Sequence, residues 1–412
     1  MYRFAERCRP LYLTGGFRLI FVLNLLLGTA TSFVGPFMSM FGTKEVGMST
    51  ALFGMFMTII AVVGIVIGTV LAHYSDTFFS RRTVLLMGSA MGALGYLGFA
   101  YVRDFVPLLL IGSVVLGIGG TTFSQIFAYA REVLQKSDIP KDEGAFYMNA
   151  FRMYTALAWT VGPALGSMVM IAYSYKGLFI CAAACFVIFM IIVWVYVPVN
   201  QPPGIPQAML GTKANDTSVL AVITRVDVLA HFSAFVLILT SSTIGMMNLP
   251  LIIVNDLGGT ETNVGIAYCV APIFEIPLLL YFGVLATRHS AAKLIRFGIL
   301  VAVAYYGSLT LVQVPWHVYP LQLLSATVTG ITAGLSITYF QSHLPHHPGT
   351  ATNLYSNAAR VGSTLGYSLF GALSFRLGHR GIFVVCTLFA IASLVLMLVP
   401  TREESEAAIK EA

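Results

Sequence analysis

The sequence predicts an all-α membrane protein with twelve transmembrane helices in two pseudo-symmetric bundles of six. Three observations carry that expectation. Apolar residues make up 57% of the 412 positions and charged residues only 10%, against about a quarter charged in soluble domains. Runs of about 20 apolar residues recur along the whole chain, each long enough to cross a hydrocarbon core about 30 Å thick. The chain also echoes itself: Asn149-Ala-Phe-Arg152 returns 208 residues later as Asn357-Ala-Ala-Arg360. An arginine inside a membrane span costs about 2.5–3.5 kcal/mol on insertion scales, so its repetition behind the same Asn-Ala step points to a duplicated unit.

The first apolar run, 17–41, follows Arg3, Arg7 and Arg9 and has the outline of a signal peptide, with Gly28-Thr29-Ala30 as a cleavage-like step. It reads as an uncleaved first helix, because the run continues to Phe41 and its removal would leave eleven spans. The next five spans are 51–73, 83–102, 106–129, 146–172 and 177–197, closing a bundle over 1–197. Residues 198–221 are rich in Pro, Gly, Asn and Thr and form a cytoplasmic linker. The second bundle, 222–412, holds spans 228–252, 263–286, 294–313, 318–341, 350–375 and 380–399, then a short acidic tail from Glu403 to Glu411. The runs are continuous rather than alternating, which excludes a β-barrel.

A second echo fits the same duplication. Glu45-Val46-Gly47 is followed by Gly54, and Asp256-Leu257-Gly258 by Gly265, at a separation of 211 residues. Pro36 and Pro250 precede the two stretches.

Orientation follows from the basic residues of short loops. Of 23 Lys and Arg, five (Lys44, Arg103, Lys176, Arg376, Arg380) fall on one side, Arg152 and Arg360 lie within spans, and the other sixteen share the side of the termini. Both termini are therefore expected in the cytoplasm. The net charge of +6 is a topology signal and gives nucleic-acid binding no basis. Five cysteines lie at the cytoplasmic end or inside spans, with no histidine or carboxylate near Cys181 and Cys185, and read as free packing residues.

Motifs narrow the expectation. Asp76, Arg81 and Arg82 follow the second helix in a loop that resembles the loop motif of the major facilitator superfamily, where an aspartate and basic residues latch neighbouring helices; Ala72 and Phe79 replace glycines of that motif. Gly162-Pro163 and Gly166 in the fifth helix resemble a motif of exporters in that superfamily. Small residues there permit close helix approach, and proline bends the helix. Gln125 to Glu132, Asn248-Leu-Pro250, Glu275-Ile-Pro277 and Phe340-Gln341 followed by Pro345 are similar to the bacterial sugar efflux transporter family. That resemblance implies proton-linked export of small sugars or glycosides. In one departure, Thr122 stands where proton-coupled drug exporters often carry an arginine.

Glu275 is the carboxylate placed well inside a span, about 18 Å along its helix from residue 263. Desolvation there favours the neutral form unless a cation pairs with it. Glu275 is thus the candidate proton carrier, with Arg152 and Arg360 as candidate ion-pair partners and Pro272 and Pro277 as flexible points. Arg152 lies close enough to the helix end to snorkel. Sugars need groups that donate and accept together. The resemblance places cavity-lining helices one, four, seven and ten around Asn24, Gln125, Asn248, Gln322, Tyr339 and Gln341, with Asn353 and Asn357 on helix eleven.

Gly117-Ile-Gly119-Gly120 has no preceding strand or P-loop lysine, His346-His347 reads as a loop, His231 as a packing residue, and no catalytic set or metal site appears. The expectation is a monomeric, cofactor-free plasma-membrane (bacterial inner-membrane) exporter exchanging a sugar or glycoside for protons across the lipid bilayer, not an enzyme. A multidrug exporter of the same fold is the alternative, and a non-transporting receptor or scaffold the alternative of another class.

Overall fold

The computed structural model describes residues 15–77, 79–135, 144–198, 225–343 and 348–400. The linker expected over 198–221, the acidic tail, Cys8 and His346-His347 fall almost wholly outside these residues. All regular elements among the described residues are helical. Ten apolar helical spans are long enough to cross a membrane, and two of them each merge a pair of helices across a break, giving twelve crossings among the described residues.

In chain order, α1 is Gly15–Val34, α2 Thr50–Thr77 and α3 Arg81–Tyr101, while α4 begins at Phe105–Leu110 and resumes as Leu116–Gln135. Helices α5 and α6 share Gly144–Tyr196 and separate at Tyr173 and Ser174. Then come α7 (Val226–Leu251), α8 (Glu261–Leu285), α9 (Ala291–Leu309) and α10 (Val318–His343). Helices α11 and α12 share Pro348–Leu396 and separate at Gly378.

The duplication is visible in backbone geometry. Pro36 and Pro250 each disturb the hydrogen-bond ladder near a helix end. Downstream, π-helical turns form at Phe41–Glu45 and at Ile252–Asp256, 211 residues apart. Gly47 and Gly258 follow at φ of +76° and +66°, a region open to glycine without steric penalty. Ser80 caps α3 by accepting from the Thr83 amide at 3.2 Å, and Ser290 caps α9 by accepting from Lys293 at 3.3 Å. The breaks also match: Ser174 has φ 57° and ψ −173°, and Gly378 has φ 66° and ψ 175°, 204 residues later.

That last offset places the repeated tetrapeptides one helical turn out of step. Asn149 and Asn357 are 208 residues apart, but the breaks ending their helices are 204 apart. Arg360 therefore sits about 6 Å closer to its break than Arg152 does to its own. The duplication stands, but its two arginines are not at equivalent depth.

The chain forms two compact units, one of residues 1–41 and 62–210, the other of 42–61 and 211–412. The first half of α2 thus belongs with the second unit, unlike the division at the linker that the sequence suggested. Close packing explains this. A Cβ at Gly54 would lie 2.4 Å from the Gly371 Cα, so the α2 and α11 backbones touch. Thr58 and Ser368 share a hydroxyl hydrogen bond of 3.0 Å, and Phe53 meets Phe370 edge-on at 6.5 Å.

Within the first unit, α1 crosses α5 through small residues. A Cβ at Gly162 would fall 1.8 Å from the Ser32 Oγ, and one at Gly166 would lie 3.0 Å from the Phe33 carbonyl. The Gly-Pro motif is thus the seam of this crossing. Gly119, from the glycine run dismissed as nucleotide-binding, meets the Gly92 backbone where α4 crosses α3. Phe41, Phe99 and Phe179 form an aromatic core, with Phe41 edge-on to Phe179 at 4.7 Å. The second unit repeats the design: Gly362 and Gly366 bring α11 against Val236 and Thr240 of α7, beside the Phe235, Phe340 and Tyr355 rings.

Candidate functional site

In the first unit, Gln125 and Glu132 stand seven residues apart, so two helical turns place them on one stripe of α4. Arg81, at the start of α3, reaches both. Its Nε donates to Glu132 Oε1 at 2.5 Å and its Nη1 to Gln125 Oε1 at 2.7 Å. Arg82 donates to the Trp194 carbonyl at 2.6 Å and lies 5.0 Å from the Trp194 ring, tying α3 to α6. The helix α2 extends past Asp76, but that side chain, like Arg152 on α5, lies outside the described residues. Gln125 is thus committed to an arginine rather than held open.

Asn24 is fully buried and joins α1 to α5. Its Nδ2 donates to the Phe151 carbonyl at 2.7 Å, and its Oδ1 accepts from the Thr155 hydroxyl at 3.1 Å.

In the second unit, four more of the sequence candidates are interhelical joints. Asn248 donates to the His379 carbonyl at 2.8 Å, linking α7 to the α11–α12 break. Gln322 reaches the Tyr305 hydroxyl at 3.5 Å, between α10 and α9. The Tyr339 hydroxyl lies 2.7 Å from Nδ1 of His231, whose Nε2 is 3.0 Å from the Val399 carbonyl. A carbonyl only accepts, so Nε2 carries the hydrogen and Nδ1 accepts from tyrosine. His231 thereby packs α7 against α10 and the end of α12, as its sequence context suggested. Gln341 donates to Thr352 at 3.3 Å, bridging α10 to α11.

A different set remains uncovered. Asn353, Asn357 and Arg360 are all exposed and spaced by four and three residues, one stripe of α11. The Arg360 side chain makes no hydrogen bond or ion pair with a described residue. Two amides and an arginine on a lipid-facing surface would be costly, so this stripe fits a water-filled space. Glu275 is half-buried fourteen residues into the 25-residue α8, about 21 Å along it, and likewise has no hydrogen-bonding or ionic partner among the described residues. Buried Pro272 and exposed Pro277 flank it, each removing a backbone donor from the α8 ladder. The structure does not pair Glu275 with Arg360.

Sequence reasoning passed over His379 and Asp256. The signal available was the repeat itself, since aligning the two breaks sets His379 opposite Tyr175, and aligning the two π-helical turns sets Asp256 opposite Glu45.

Twelve apolar helices in two repeated units, with polar and charged side chains held inside the spans, define a multi-pass membrane transporter. The sequence matches the Major Facilitator Superfamily over residues 20–366 and again over 230–412, and the chain belongs to that superfamily. It is 32% identical over 376 residues to sugar efflux transporter A of Dickeya chrysanthemi, covering 91% of this chain and 93% of the relative. It is 30% identical over 379 residues to sugar efflux transporter B of Salmonella typhimurium, covering 90% and 94%. The resemblance carried by scattered motifs thus extends along nearly the whole chain. The fold is also similar to solved structures. A POT family transporter in complex with a thioalcohol-conjugated peptide gives a TM-score of 0.74 at 12% identity, over 93% of this chain and 95% of that one. The nucleoside transporter NupG gives 0.70 at 15% identity, over 97% and 100%. Fold and relatives are those of transporters, not enzymes.

Proposed function

We propose that this protein exports small sugars or glycosides by alternating access, in exchange for protons, as a monomer in the bacterial inner membrane with both termini in the cytoplasm. The observation that carries the reading is similarity along nine-tenths of the chain to proteins named sugar efflux transporters. The distribution of basic residues supports the orientation. The uncovered Asn353, Asn357 and Arg360 stripe supplies donors and acceptors suited to a neutral polyol, and Glu275 supplies a mid-span carboxylate with no ionic partner among the described residues.

In this reading Glu275 takes up and releases the proton, and the prolines beside it let α8 bend as it does so. Energetics allow it. A proton entering down about 150 mV supplies about 3.5 kcal/mol, enough for a solute ratio of a few hundred. The test is sugar efflux from proteoliposomes under an imposed proton gradient. Wild type should move sugar uphill, and Glu275→Gln should retain only downhill flux. Uphill transport by Glu275→Gln would remove Glu275 from the coupling step. Displacement of bound sugar by hydrophobic cations would favour a multidrug exporter instead.

A further inference from the structure

The break between α11 and α12 brings His379 against the end of α7. Buried Asn248 donates its Nδ2 to the His379 carbonyl at 2.8 Å and presents its Oδ1 to His379 Nδ1 at 3.0 Å. An amide oxygen only accepts, so Nδ1 carries a hydrogen in every protonation state that keeps this contact. The second proton can then sit only on Nε2, which lies 3.9 Å from Asp256 Oδ1 on the π-helical turn after α7. In the neutral ring a lone pair faces a carboxylate. One added proton converts that arrangement into an ion pair.

The equivalent positions of the first unit carry other residue types. At the positions equivalent to Asn248 and His379 stand Phe37, 211 residues earlier, and Tyr175, which follows Ser174 as His379 follows Gly378. Phe37 is fully buried, and the Tyr175 ring lies 5.7 Å from Phe41. The amide–imidazole pairing is thus particular to the second unit.

The surroundings isolate the pair. Asp256 is the charged group that interacts with His379. From α7 the ring meets neutral Asn248, and from α9 and α10, which also pack on the α11–α12 pair, no titratable described side chain interacts with it. Arg376 and Arg380 on its own turn are exposed and make no interaction with it.

We propose that His379, oriented by Asn248 against Asp256, is a proton-binding site on the face of the membrane opposite the termini, through which the outer proton pool enters the transport cycle. The proposal rests on the proton-exchange reading above and adds a second titrating group to Glu275. His379 lies in the turn between two spans, where burial holds its pKa below the ordinary value and the Asp256 carboxylate opposes that.

The test has two arms. Nitrogen-15 histidine NMR of the full chain in nanodiscs should show the imidazole signal that is lost in His379→Gln titrating between about pH 5 and 8 in wild type, and shifted down by about half a unit or more in Asp256→Asn. In proteoliposomes, sugar counterflow should vary with pH on that face in wild type and lose the dependence in His379→Gln. A His379 signal that does not titrate, or titrates identically in Asp256→Asn, overturns the site. A titrating His379 with an unaltered His379→Gln pH profile overturns its part in transport. Wild-type flux indifferent to a proton gradient, with His379 still titrating, refutes proton exchange and leaves the site intact.

Discussion

Arg81 and Glu132 meet at 2.5 Å, their side chains only 12% and 26% exposed, and the same guanidinium holds Gln125. One arginine from the start of α3 thereby pins two turns of α4. Glu132→Gln keeps the shape but removes the charge from a largely desolvated pair. Stability should fall by about 1–2 kcal/mol, since a partly buried arginine loses its counter-charge. Adding Arg81→Met should cost less than the two single changes summed, because the pair is lost only once. Thermal unfolding of the three variants in detergent checks this.

The Gly162 seam makes a sharper steric prediction. A Cβ there would land 1.8 Å from the Ser32 Oγ, so Gly162→Ala overpacks the α1–α5 crossing by about 1–3 kcal/mol. The clashing atoms are the Ser32 Oγ and Cβ, at 1.8 and 2.7 Å, while the next atom lies 3.6 Å away. Ser32→Gly should therefore rescue Gly162→Ala in the double variant. If the two changes simply add in thermal unfolding, the contact is not what limits position 162.

The two breaks predict opposite signs for similar chemistry. Ser174 holds φ 57° and ψ −173°, a region that is almost glycine-only and costs other residues about 1–3 kcal/mol. Ser174→Gly should raise the unfolding temperature, whereas Gly378→Ala, at φ 66° and ψ 175°, should lower it. Paired melting curves decide, and equal signs would refute the shared conformation.

These positions also mark what the sequence could and could not disclose. Twelve spans, the duplication and the family were legible because hydrophobic run length and short repeats are local features of the chain. The amides were ambiguous in a specific way. Asn24, Asn248, Gln322 and Gln341 sit in apolar helices for two possible reasons, to meet a solute or to satisfy a neighbouring helix, and both give the same residue in the same place. Only coordinates reveal that Asn24 is occupied by Phe151 and Thr155, and Asn248 by His379. The placement of residues 42–61 with the second unit was hidden for a similar reason, since the contact of Gly54 with Gly371 joins positions far apart in the chain.

That division between occupied and uncovered polar groups yields the last prediction. Asn24 is 0% exposed and uses both ends of its amide, so Asn24→Ala leaves a buried carbonyl partner unmatched and should cost about 1–3 kcal/mol. The Arg360 and Asn357 side chains are exposed on α11 and have no hydrogen-bonding partner among the described residues, so Arg360→Ala and Asn357→Ala should each change stability by about 0.5 kcal/mol or less. Sugar binding should respond in the reverse order, with both α11 variants losing affinity and Asn24→Ala retaining it wherever the protein stays folded. Thermal shift with and without sugar separates the two quantities in one experiment. Retained affinity in both α11 variants would remove the stripe from the binding site, because no structural role remains to explain a polar face there.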